Sequence, residues 1–245
     1  MQGIAAVIPV KSFSEAKQRL QTVLSFDERR TLARVMFEDV LNVLIRCDRL
    51  AAVTVITNDV EATGLAHSLG ATTMADPLTG GLSGAIAAAA QSLRDQGMEG
   101  MMVVPSDVPA IDTATVNRLL DAHALPRAVT LVPAARDGGT NAMLCSPPNV
   151  IPNCFGHNSF RAHCQLATSS GIEPHILSMP ALNYDIDRPL DLLSFLGHSN
   201  ATKTYAYLKR SGIAARLLES AAFLAAETIL SRAVPERVPT RIHKG

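Results

Sequence analysis

The sequence has no surplus of either charge: 22 Lys and Arg stand against 22 Asp and Glu in 245 residues. A chain without a basic excess is a poor general binder of nucleic acid or of an anionic membrane surface. Neither partner is expected, and an anionic ligand would have to be held by a local cluster of cations. There is no GxxxxGKS/T sequence anywhere, which excludes a P-loop NTPase. No apolar stretch reaches membrane-spanning length; GLSGAIAAAAQSL is short and Ala-rich. The first ten residues, MQGIAAVIPV, lack the basic n-region and the long apolar run of a signal peptide, so a cytoplasmic protein is expected. Repeats and low-complexity tracts are missing too. The four cysteines, Cys47, Cys145, Cys154 and Cys164, form no CxxC pair. Cys154, His157, His163 and Cys164 lie close together, but their spacing fits no usual zinc pattern. Reduced, partly buried thiols are the expectation.

What is present is alternation. IAAVIPV reads as a strand buried on both faces. Ser25 and Glu28 form a capping box that opens a helix, on which Leu32, Val35, Met36, Val40, Val43 and Leu44 make one apolar stripe. AAVTVIT is the next strand, Asn58 or Asp59 caps the next helix, and Gly70 ends it. TTMA, MMVVP, AVTLVPA, NAMLCS, HILSMP and LNYDID read as further strands. An Ala-rich helix runs to Gly97, TATVNRLLDAHA is a helix, another spans Ser159–Ser169, and Pro189 opens one more. Strands and helices so closely interleaved predict an α/β fold, a mostly parallel central sheet with helices on both faces. Residues 1–197 are read as this domain, 198–232 as a helical C-terminal appendage and 233–245 as a flexible tail.

In such a sheet ligands bind at the carboxyl ends of the strands, so the polar residues that follow each strand belong together. After the first strand, Lys11, Lys17 and Arg19 stand within nine residues, read as cations at a helix start, where the helix dipole opposes them and a triphosphate would compensate them. PSDVP places Asp107 after another strand, in an apolar frame that suits a hard-cation ligand. Asp185 and Asp187 of DIDRP are expected on opposite faces of the last strand, so that a bend would be needed to bring both to one ion. Asp107 and Asp187 together suggest Mg²⁺ held by carboxylates and substrate phosphates. Gly80–Gly81 lets a flat ring approach the backbone. Gly156 precedes a helix opened by Ser159, with His163 one turn on; that helix start offers free N–H groups to a phosphate or carboxylate. Gly138, Gly139, Thr140 and Asn141 interrupt two apolar runs in a way a simple turn does not require, and so suggest a ligand loop.

The ordered set PVK-x5-AK-x-RL, LS-x2-ER-x2-LA-x2-M-x2-DV, GGL-x2-A, PSDVP, DGGTNAML, FG-x2-SF-x2-H and DIDRP-x-DL resembles the 2-phospho-L-lactate, phosphoenolpyruvate and 3-phosphoglycerate guanylyltransferases of coenzyme F420 biosynthesis. The resemblance covers about residues 4–197 and, more loosely, TKTYAYLKRSGIAARL; beyond about 217 no motif matches. It implies a Rossmann-like nucleotidyltransferase fold in which GTP lies over Pro9, Lys11, Gly81 and Leu82. The phosphoacid would sit on Thr140, Gly156 and Ser159, with Asn141 and His163 beside them. Ser83 stands where the family usually has Asn. Lys11, Lys17, Arg19 and Asp107 would then be the catalytic set, and Asp107, Asp185 and Asp187 the Mg²⁺ ligands. Two other readings stay open. A sugar-nucleotide-dependent glycosyltransferase would normally show a DxD-like motif in mid-chain, where PSDVP offers only Asp107. A non-catalytic GTP-binding protein would not need Asp107, Asp187, Thr140 and Ser159 intact. The apolar C-terminal helices could pack a homodimer.

Overall fold

The run Ile4–Ile8 is apolar at every position because both of its faces are covered. In the computed structural model, which describes residues 2–77, 79–124, 126–135, 138–182, 185–198 and 201–220, it lies in β1 (Gln2–Pro9). Ala6 and Ile8 face one core while Ala5 and Val7 face another. The other strands are β2 (Leu50–Ile56), β3 (Thr72–Met74), β4 (Met98–Val103), β5 (Ala128–Pro133), β6 (Thr140–Ser146) and β7 (His175–Ile176). They form one sheet in the order β3-β2-β1-β4-β6-β5-β7. β6 runs antiparallel to both its neighbours and the remaining pairs are parallel. The expected α/β architecture is therefore what forms. Because β6 is reversed, its first residues share a sheet edge with the carboxyl ends of the parallel strands.

Helices α1 (Phe26–Ile45), α2 (Val60–Ser68) and α4 (Thr113–Ala122) cover one face; α3 (Gly81–Asp95) and α5 (Ser159–Ser169) cover the other. The capping box of α1 is present: Ser25 Oγ accepts from Glu28 N–H at 3.2 Å, and the Glu28 carboxylate accepts from Ser25 N–H at 2.9 Å. Asp59, not Asn58, caps α2. Its second oxygen accepts from Phe13 N–H and Ser12 Oγ, both at 3.0 Å. That tie draws the exit of β1 away from a helix. The stretch carrying Lys11, Lys17 and Arg19, expected at a helix start, instead forms two short 3₁₀ turns, Phe13–Glu15 and Gln18–Leu20.

A second expectation is corrected at the far edge. β7 pairs with β5 over two residues only. One further backbone bond, Leu177 N–H to Leu131 O at 2.9 Å, follows the pair. The described residues of LNYDID lie in no strand: Leu182 ends a 3₁₀ turn at Pro180–Leu182, and residues 185–187 have no regular structure, while Asn183 and Tyr184 lie outside the described residues.

A third apolar cluster lies behind α1. Leu32, Val35 and Met36 meet Leu20, Ile186, Leu192 and Leu196 of α6 (Pro189–Leu196), Leu208 of α7 (Lys203–Arg210), and Ile213, Ala214 and Leu217 of the helical segment 213–220. Asp39 of α1 clasps the start of α7, accepting from Lys203 N–H at 2.8 Å and from the N–H and hydroxyl of Thr204 at 2.8 and 2.7 Å. Among the described residues no helix is long and apolar enough to cross a membrane. The described C-terminal helices, as far as residue 220, are thus part of a packed core.

Leu208 is fully buried, so Leu208→Ala should cost about 2–4 kcal/mol in chemical denaturation. A loss below about 1 kcal/mol, the range of exposed or collapsible sites, would mean that α7 does not pack as described.

Candidate active site

A cleft of about 460 Å³ opens at the carboxyl edge of the sheet, lined by Pro9, Val10, Lys11, Lys17, Gly81, Leu82, Ser106 and Asp107, among others. At one end three carboxylates converge: Asp107, Asp185 and Asp187 each offer an oxygen within 4.8 Å of the others. Asp107 comes from the loop after β4, and its carbonyl accepts from Ile186 N–H at 3.1 Å. Ile186 turns into the third apolar cluster. Its neighbours on both sides, two residues apart, therefore share the opposite side, as the period of two along a straight chain requires. The expectation that they would face opposite ways is corrected, and no bend is needed. Asp191, buried in the first turn of α6, accepts from the N–H groups of Asp187 and Arg188 at 3.0 and 2.7 Å, which fixes this stretch.

Two cations sit among the carboxylates. Lys17 Nζ donates to Asp107 Oδ2 at 2.6 Å and Asp187 Oδ1 at 2.9 Å, with its side chain 8% exposed. Arg19 reaches Asp187 Oδ2 at 3.2 Å from a far more open position. Burial alone would depress the lysine's pKa, but the two carboxylates outweigh it and raise it. Asp187 shows the converse: burial favours its neutral form, and Lys17 and Arg19 more than reverse this, lowering its pKa. Asp185 has its pKa raised, by burial first and then by its two acidic neighbours. Lys17 reaches this position from a left-handed backbone (φ 55°, ψ 38°) between the two 3₁₀ turns. Buried Arg29 supports that turn, donating to Ala16 O at 3.3 Å, and fully buried Leu20 anchors its far side. Lys11 is exposed on the cleft wall.

The second group gathers on α5. The register slips between Val132 and Pro133: Val132 pairs with Ala142, but Pro133 pairs with Thr140. One extra residue, Asn141, is thereby taken up on β6. Without this bulge Thr140 would share a face with Ala142 and Leu144, away from α5. Instead its Oγ1 lies 2.9 Å from His163 Nδ1 and accepts from Ser159 Oγ at 3.3 Å. His163 Nε2 accepts from Cys154 N–H at 3.2 Å, and its ring meets Phe155 edge-on at 4.8 Å. Burial holds its pKa down at about 4. Both ring nitrogens are thus committed to hydrogen bonds; Cys47, Cys145, Cys154 and Cys164 are free thiols.

Two details stand out here. Asn141 spends its amide nitrogen on Leu182 O at 2.6 Å, which secures the 180–182 turn. α5 opens at Ser159 as expected, with Asn158 in a left-handed conformation at the cap position. The first N–H groups of α5 are partly spent: Ser159 N–H donates to Gly156 O, and Phe160 N–H donates to Gly138 O at 3.0 Å. The hairpin between β5 and β6 is thus docked on α5. The described part of this loop runs from Gly138, which has φ 68°; Arg136 and Asp137 lie outside the described residues.

Several cleft residues escaped the sequence reading. Asp76 follows β3 and lines the cleft, its backbone gripped by the Asn58 amide at 2.9 and 3.1 Å. Ser106 and Glu15 also line it. Asn58 and Asp76 follow strands just as Asp107 does, and the same rule applied to β2 and β3 would have found them. Ser83 donates to Phe155 O at 3.2 Å, linking the start of α3 to the loop before α5.

The family model described as guanylyl transferase CofC-like matches residues 4–226. The chain belongs to this family. The match runs past residue 217, where the sequence motifs stopped. A phosphoenolpyruvate guanylyltransferase of Sphaerobacter thermophilus is 35% identical over 195 residues, covering 79% of this chain and 93% of that one. A 3-phospho-D-glycerate guanylyltransferase of Colwellia psychrerythraea is 33% identical, covering 76% and 88%. A 2-phospho-L-lactate guanylyltransferase of Methanothermobacter thermautotrophicus is 32% identical, covering 84% and 89%. Among solved structures, 4-diphosphocytidyl-2C-methyl-D-erythritol synthase superposes with a TM-score of 0.56 at 12% identity, over 79% of this chain and 97% of its own. That likeness shows the fold alone.

A Cβ at Gly138 would lie 2.7 Å from Asn158 Oδ1, on a backbone that side chains rarely adopt. Gly138→Val should therefore cost about 1–3 kcal/mol by chemical denaturation. Unchanged stability would show that the hairpin is not held against α5.

Proposed function

We propose that the protein transfers GMP from GTP to the phosphate of a small phosphorylated acid, with release of pyrophosphate, as a step in coenzyme F420 biosynthesis. The observation that carries this reading is the carboxylate trio with Lys17 and Arg19, set at the end of a cleft whose other wall is formed by Gly81 and Leu82. GTP would lie against Pro9, Lys11, Gly81 and Leu82. The phosphoacid would meet Thr140, Ser159 and the turn at Gly156.

In the reaction an oxygen of the acceptor phosphate forms a bond to the α-phosphorus of GTP, and the bond from that phosphorus to the bridging oxygen breaks. A phosphate monoester has its second pKa near ~6, so the nucleophile is already ionised at neutral pH and no general base is required. The obstacle is the approach of two anions. Positioning and charge neutralisation are what the protein must supply, and Lys11, Lys17 and Arg19 are the cations at hand.

Asp107, Asp185 and Asp187 also suit Mg²⁺. Hard oxygen donors are its preferred ligands, and the three carboxylates offer oxygens within 4.8 Å of one another. When bound there, Mg²⁺ would neutralise and orient the phosphates.

The test is to incubate the protein with GTP, Mg²⁺ and each of phosphoenolpyruvate, 2-phospho-L-lactate and 3-phospho-D-glycerate, following pyrophosphate. Release dependent on one acid is expected. Asp107→Asn should lower it by about 100-fold or more, since an amide supplies no charge, with an unchanged far-UV circular dichroism spectrum. Near-normal turnover in that variant would remove Asp107 from the chemistry, and turnover of a sugar nucleotide in place of GTP would favour a glycosyltransferase.

A further inference from the structure

We infer that His163 is a positioning residue that never touches the phosphoacid: it fixes the Thr140 hydroxyl as a hydrogen-bond donor aimed at an anionic oxygen. The inference rests on the reading that a phosphoacid binds at Thr140 and Ser159.

The argument is a count of donors and acceptors. The Cys154 backbone N–H can only donate, and it meets His163 Nε2 at 3.2 Å. Nε2 is therefore the bare nitrogen of the ring. In a neutral imidazole the proton must then sit on Nδ1, and Nδ1 lies 2.9 Å from Thr140 Oγ1. Thr140 accepts this bond. It accepts a second from Ser159 Oγ at 3.3 Å. A threonine hydroxyl has two lone pairs and one proton. With both lone pairs engaged, only its proton remains to meet a ligand. A carboxylate or phosphate oxygen can accept that proton, whereas a group that can only donate finds nothing there.

Burial makes the arrangement durable. His163 is fully buried and Ser159 is 2% exposed, while Thr140 stays half-exposed at the sheet edge. A ring flip would put carbon against both partners, and the edge of Phe155 at 4.8 Å packs the ring in place. The pair thus reaches the ligand through one hydroxyl whose polarity is set from behind.

Two measurements test this. The first is the ring ¹⁵N NMR spectrum of histidine-labelled full-length protein without substrate, with His163 assigned by its loss in His163→Gln. A neutral ring protonated at Nδ1 is expected at neutral pH; protonation at Nε2 would overturn the inference. The second is a double-mutant cycle on the KM for the phosphoacid that is turned over. Thr140→Val and His163→Phe should each raise it about tenfold, the loss expected for a hydrogen bond to an anion, with the KM for GTP within about twofold. The double variant should be no worse than Thr140→Val alone, because His163 acts only through Thr140. His163→Gln, which keeps an acceptor for Cys154 N–H and a donor for Thr140, should recover part of the affinity and covers the case in which the Phe variant does not fold. Additive effects would mean that His163 contacts the ligand itself and would overturn the inference. The spectrum needs no substrate, so absence of phosphoacid-dependent turnover would defeat the proposed function while the tautomer still decides the relay.

Discussion

The ammonium of Lys17 between Asp107 and Asp187 is the contact on which the cleft depends. Three carboxylates from two segments far apart in sequence offer oxygens less than 5 Å from one another, where mutual repulsion and lost hydration would otherwise drive them apart. Much of the surrounding structure holds this cation in place. The left-handed turn at Lys17, buried Arg29 behind Ala16 O, and Leu20 and Ile186 in a common apolar cluster all converge on it. The C-terminal helices, clasped by Asp39, complete that cluster. What looks in sequence like an appendage lies directly behind two of the acidic residues and the basic turn.

The two polar groups at this sheet edge use different physics. The acidic group is charged, with cations and carboxylates nearly in balance. In the α5 group, neutral hydroxyls and a neutral imidazole set the polarity of a single donor. A reversed strand and one bulge bring that donor to the same sheet edge as the carboxylates. Ser83 joins the walls through Phe155 O. Such a division suits a reaction between two anionic substrates, since each needs its own anchor and only one region need carry the excess charge.

Features decided by neighbours in sequence were legible. The capping box of α1, the bounds of α5 and the double-faced burial of β1 all follow from local caps and periodicity. So did the convergence of Asp107 and Asp187, because strand ends share an edge. Features decided across the fold were not. Asp59 pulls Ser12 and Phe13 out of a helical start, and nothing near Lys17 signals its left-handed backbone. A bulge redirects Thr140 and gives Asn141 a structural partner, and no local pattern marks a one-residue slip. The side shared by Asp185 and Asp187 follows from the strand period. It took the inward turn of Ile186 to make it plain.

The most direct measurement of the central claim is the ³¹P NMR spectrum of the products formed from GTP, Mg²⁺ and the accepted phosphoacid. Transfer to the acceptor phosphate gives two mutually coupled phosphorus signals from a new P–O–P linkage, together with free pyrophosphate. Formation of GDP and inorganic phosphate, or pyrophosphate accompanied only by free GMP, would contradict guanylyl transfer at this site.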